Sequence, residues 1–237
     1  MGLVPKAAVL PLQDGQRCDR MQFEHVVSLG YQCMTAHFIR ETGLRRHMSP
    51  FDWLFSTPLV VEHCMKDEFA DFLDQENYVS CGSGQQWSHR IFDALYDKGV
   101  LFNHHDMSDP DMHARFRRSA RRFTRMLRSD APKMFVIMSS YKNIIHPVTQ
   151  NFIGRLGDYT QNFRVVAIGV DSLAAIPEAR ISALRETTEI QDLYEVSVLS
   201  TAAGGLEFED SEDNSLIRGI LQSYRYDLPE GPDSDEA

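Results

Sequence analysis

The chain has no apolar run near the ~20 residues that a membrane-crossing helix needs, so no span is expected. Cysteine is sparse. Cys18, Cys33, Cys64 and Cys81 form no C-x-x-C pair and no disulfide-dense pattern, which leaves no structural zinc motif and fits a reduced, cytoplasmic protein. No cofactor and no metal site are expected. Positive charge is in deficit: the formal net charge is −10, which argues against bulk nucleic-acid binding. The deficit is local, because residues 207–237 hold ten acids against Arg218 and Arg225. The opening stretch, Met1 to Asp19, lacks a clear cleavage site and does not read as a signal peptide. Lys6 stands where N-myristoylation needs Ser or Thr. Internal repeats are absent.

What is there suits one globular domain: 43% hydrophobic and 24% charged residues over 237 positions, enough to bury a full core. We read residues 1–22 as a loosely attached lead-in, 23–226 as a single α/β domain, and 227–237 as a disordered acidic tail.

The chain is organised around residues 25–53. Val26-Val27-Ser28-Leu29 ends at Gly30, Cys33 follows within one turn, and a helical pattern then runs over 33–42 to Gly43. Such an arrangement presents a nucleophile. The strand fixes the residue, the glycine allows a sharp turn, and the helix N-terminus favours a thiolate. It equally suits a cysteine that fills a small apolar gap. In Pro50-Phe51-Asp52-Trp53, Asp52 either closes a structural corner or orients a histidine beside the site.

Further along, Thr57-Pro58 reads as the cap and first position of a helix over 58–72. Tyr78–Cys81 suits a short strand, and 89–96 with 99–104 suits an antiparallel hairpin across Asp97-Lys98-Gly99. Asp109-Pro110 opens a helix over 110–128 whose exposed face carries Arg115, Arg117, Arg118, Arg121, Arg122, Arg125 and Arg128. That face is either solvated or faces an anion, and Arg118, Arg121 and Arg122 are the candidate binding residues. The runs 134–138 and 163–170 are strands buried on both faces, joined by a helix from Pro147 to about Tyr159 in a βαβ unit. Residues 177–186 suit a helix, 193–199 a strand and 212–224 a last helix.

Ser28-Leu29-Gly30-x-x-Cys33 with Gly43-Leu44-Arg45, Pro50-Phe51-Asp52-Trp53, Phe69-x-x-Phe72-Leu73, His105-Asp106 and Arg121-Arg122-Phe123 resembles a bacterial and viral family of unknown function labelled as papain-like cysteine peptidases. The resemblance covers roughly residues 25–170. It implies a cysteine-dependent hydrolase or acyltransferase with a peptide, acyl or glycan substrate. A thiolate then needs a histidine, and the histidine needs an orienting group. His105 follows a strand and is the candidate base, with His104 on the opposite face of an extended chain. His25 and His37 lie too close to Cys33 along the chain to be chosen. Asp106 or Asp52 would orient the ring, and Gln32 with the Cys33 N–H would form an oxyanion hole.

The fold expectation pulls against the family label. Papain-like folds pair a helical lobe with an antiparallel sheet. Here buried strands alternate with helices, which predicts a three-layer α/β fold with a mostly parallel sheet, helices on both faces, and an antiparallel hairpin insertion. In such a sheet the loops after Gly30, Met138 and Val170 meet at the C-terminal strand ends, where Ser139, Ser140 and Asn143 would line a pocket. That geometry is similar to the SGNH esterases, although their serine is missing and no histidine follows His146. An SGNH-like esterase or glycan-modifying enzyme is therefore the alternative. A non-catalytic module that uses the arginine helix is the third reading.

Overall fold

The apolar runs behave as their composition dictates: they take the middle of a sheet, where both faces are covered. The computed structural model describes residues 21–82, 86–172, 180–200 and 206–230. In chain order the elements are β1 (Gln22–Phe23), β2 (His25–Ser28), α1 (Cys33–Glu41), α2 (Pro58–Lys66), β3 (Tyr78–Ser80), β4 (Trp87–His89), α3 (Arg90–Tyr96) and β5 (Val100–Phe102). They continue with α4 (Pro110–Leu127), β6 (Lys133–Ser140), α5 (Tyr141–Ile144), α6 (Pro147–Arg155), β7 (Phe163–Ser172), β8 (Arg180–Thr187), β9 (Gln191–Val198), α7 (Ser211–Gln222) and β10 (Arg225–Tyr226).

The main sheet has the order β2-β6-β7-β9-β8. Its first four strands are parallel, and β8 joins antiparallel to β9. This is a mixed, mostly parallel α/β arrangement, not an antiparallel sheet beside a helical lobe. Side chains alternate between the faces, as a pleated strand requires. Phe135, Ile137, Val165 and Ala167 join a core with α2, α4 and α6. Met134, Val136, Val166 and Ile168 join a second core with α1 and α7.

Three expectations are corrected. The arm read as strand at 89–96 is helix α3, and the antiparallel sheet is instead β3-β4-β5. His89 caps α3 by accepting from the Phe92 N–H, a role that histidine rarely advertises in a sequence. The helix from Pro58 ends at Lys66, not 72, because Glu68 and Phe69 turn to positive φ. Residues 180–187 form strand β8 where a helix was expected at 177–186, and residues 177–179 lie outside the described residues. Two register shifts in β8, near Ser182 and Leu184, break the two-residue alternation that would have marked it as a strand.

At the chain ends, β1 pairs in parallel with β10, and the Asp227 N–H donates to the Phe23 carbonyl. Residues 1–20 and 231–237, which hold most of the expected lead-in and tail, lie outside the described residues.

Candidate functional site

Cys33 is the first residue of α1 and lies just beyond the C-terminal end of β2. Between them the chain turns through two successive left-handed residues, Gly30 (φ 85°) and Tyr31 (φ 72°). Glycine is demanded at 30 twice over. The positive φ favours it, and a Cβ there would sit 1.9 Å from Ser56 Oγ. The turn is tied down on all sides. The Gly30 N–H donates to Ser28 Oγ, the Tyr31 N–H to Ser56 Oγ, and Thr35 Oγ1 to the Gly30 carbonyl.

The neighbouring strand end completes a polar chain. Tyr31 Oη lies 2.8 Å from Thr149 Oγ1, Thr149 donates onward to the Asn143 carbonyl, and Asn143 Nδ2 donates to Ser139 Oγ. The loops after β2 and β6 thus meet, as the parallel topology requires. Tyr141, at the start of α5, presses on β7 so closely that a Cβ at Gly169 would lie 2.7 Å from its Cα. Gln32 is exposed, and its side chain makes no capping bond on α1.

Cys33 is buried, at 4% exposure. Burial pushes its thiol above the ordinary range, against the opposing pull of its own backbone N–H. Burial thus works against the thiolate that the helix N-terminus favours.

The structure separates the other candidates. His105 is buried against the Phe116 ring, with centroids 5.1 Å apart. One ring nitrogen donates to the main chain of Asp52, and Nε2 is buried without a hydrogen-bond partner. Burial lowers its pKa to about 4, so it is neutral at pH 7. Asp52 thus holds the ring through its main chain. Asp106 accepts from the Ser108 N–H and Oγ, which holds its pKa low, and Asp52 accepts from the Ser49 N–H and faces Arg45 Nε at 3.7 Å. Arg118 and Arg121 are exposed, and Arg122 is half-buried on the inner edge of their helix face.

His37 stands one turn beyond Cys33 on the same helix, the spacing that stacks side chains on one face. Its Nε2 lies 3.0 Å from Glu207 Oε1, and its Nδ1 is buried without a partner. Glu207 also accepts from Arg218, and its pKa is lowered chiefly by the bond to His37. Sequence reasoning passed over His37 for its closeness along the chain, and the i, i+4 spacing was the available signal. His37 and Glu41 with Glu207, and His63 with Asp67 and Asp71, are the His–carboxylate groups among the described residues with metal-compatible spacing. In the first, Arg218 already balances Glu207.

The fold and this turn define an α/β protein with a cysteine seated where a parallel strand passes into a helix. A family model described as "Putative papain-like cysteine peptidase (DUF1796)" matches residues 24–171, and the chain belongs to that family. No curated protein and no solved structure matches the chain.

Proposed function

We propose that the protein is a cysteine-dependent hydrolase or acyltransferase that uses Cys33 as nucleophile, on a sheet that forms the middle of three α/β layers. The observation that carries this reading is the placement of Cys33 at the first position of α1, off the left-handed Gly30–Tyr31 turn. Family membership supports it. The mostly parallel sheet departs from the antiparallel sheet of papain-like folds, which keeps the SGNH-like alternative within the same proposal.

Two histidines are candidates for the base. Each is held through one ring nitrogen and leaves the other buried without a hydrogen-bond partner. His105 is anchored on the first core, whereas α1 belongs to the second, on the opposite sheet face. His37 is already on α1 and is oriented by a carboxylate. We therefore assign His37 as the base and Glu207 as its orienting group, although Glu207 lies beyond the matched family span. His37 Nδ1 has no partner in the resting structure and must close on Sγ when substrate binds; Cys33 Sγ then attacks the acyl carbon as its proton passes to that nitrogen. The leaving group departs with that proton, and water or an acceptor nucleophile releases the thioester.

The test is acylation by activated aryl esters, read by intact mass and peptide mapping. The expected product is one acyl group on Cys33, absent in Cys33→Ala. Acylation should be slowed by about 10²-fold or more in His37→Gln, the usual worth of a general base, and little changed in His105→Ala. Equal ester turnover by Cys33→Ala would sink the nucleophile. Normal acylation in His37→Gln with loss in His105→Ala would return the base to His105.

A further inference from the structure

A cavity of about 310 Å³ lies away from Cys33, where the open edge of β2 faces α4 and the loop after α1. That volume is in the range of small-ligand pockets. Its lining is one-sided in charge. Arg46, Arg122 and Arg125 supply the charge, His25 and His47 stand beside them, and no acid lines it, in a chain whose net charge is −10. Val27, Met48, Phe123 and Met126 make the apolar wall. The acid nearest along the loop, Asp52, is turned onto Arg45 and the Ser49 N–H.

Arg46 is positioned without being neutralised by those bonds. Its Nε donates to the Pro229 carbonyl and its Nη1 to the carbonyls of Gly43 and Arg45. Uncharged carbonyl acceptors fix a guanidinium in place and leave its charge to act on the cavity. Burial, then the nearby His47, lowers the pKa of His25, against the raising effect of Glu24. Cations converging on a low-dielectric wall focus a positive potential into the cavity.

We propose that this cavity binds a small organic anion, with its head group on the arginines and its apolar body against Phe123, Met126 and Val27. Arginine suits a carboxylate, sulfonate or phosphate-ester head, since its planar fork pairs two oxygens at once. The site is independent of Cys33, so it stands or falls apart from the catalytic reading.

The probe is anilinonaphthalene sulfonate, whose fluorescence rises in apolar surroundings, compared with phenylnaphthylamine, which has the same rings without the charge. Saturable binding of one sulfonate probe per chain is expected. Arg125→Gln and Arg46→Gln should each weaken it at least about fivefold, or about 1 kcal/mol, with little effect on the neutral probe. Arg125→Lys, which keeps the charge and loses the fork, should retain only part of the affinity, and Arg128→Gln, whose side chain pairs with Glu68, should keep all of it. Thermal midpoints confirm that each variant is folded. Equal affinity for the two probes, or unchanged sulfonate binding in folded Arg46→Gln/Arg125→Gln, would overturn the proposal.

Discussion

The two faces of the central sheet are held by different physics. On one, phenylalanine rings interlock: Phe72 touches Phe69, Phe92, Phe102 and Phe116, at centroid distances of 5.6 to 6.4 Å. On the other, a core richer in aliphatic and methionine side chains, with Phe23, Phe38 and Phe208 among them, is joined by a buried ionic cluster. Arg164 and Asp192, each 5% exposed, form a two-pronged pair, and Asp192 also accepts from Tyr224 Oη, itself 2.9 Å from Tyr194 Oη. Asp213 adds a second buried carboxylate there, accepting from the N–H groups of Leu199 and Ser200. The ring face tolerates adjustment, because its contacts are many and weakly directional. The ionic face ties the start of α7 to the chain after β9 by directed bonds, and the His37–Glu207 contact lies on the same side of the sheet, between α1 and the approach to α7.

The comparison is sharpest where one partner of the ionic cluster is removed. Asp192→Ala removes the carboxylate that faces a buried guanidinium, and should cost about 3–5 kcal/mol by urea unfolding. Replacing both partners, as Arg164→Met with Asp192→Leu, should recover most of that loss, and a double variant as weak as the single one would refute this account. The next effect belongs to the ring face and depends on pH. His105 has a folded pKa of about 4, below the ordinary 6.5. As acid is added the unfolded chain takes up this proton first. The contribution of His105 is therefore full above about pH 6.5 and is lost as pH falls through about 4, a change of about 1–3 kcal/mol. His105→Gln should flatten that part of the stability profile, and an unchanged slope would place the titration elsewhere. Phe72→Leu should cost only about 1–2 kcal/mol, since neighbouring rings close on the gap, and a loss as large as that of Asp192→Ala would erase the contrast. The smallest effect is Thr57→Ala at the start of α2, where the side chain accepts from the Val60 N–H, with about 1 kcal/mol expected from thermal unfolding.

Much of the frame was legible because its signals are local. The continuous runs at 134–138 and 163–170 became β6 and β7, and Thr57-Pro58 and Asp109-Pro110 start α2 and α4 with the expected caps. What failed was non-local or atypical. The alternation in β8 is broken by bulges, and α3 begins on a histidine cap. For the site, the turn at Gly30 and the position of Cys33 could be read from the sequence. The acid on His37 could not, since Glu207 is brought to α1 only by the packing of α7. The cationic cavity draws on three separated segments, and of the three candidate arginines only Arg122 lines it.

The position of β2 carries one more consequence, for the order of assembly. Strands β6, β7 and β9 follow one another closely along the chain, but His25 pairs with Lys133, roughly a hundred residues away. Loop-closure entropy makes such a pairing late, and β2 docks on one side only, at the sheet edge. The turn that seats Cys33 then takes shape only after the rest of the sheet is built. Amides of β2 should exchange ahead of those in β7, and a nascent chain would carry its thiol unaligned until the fold is nearly finished.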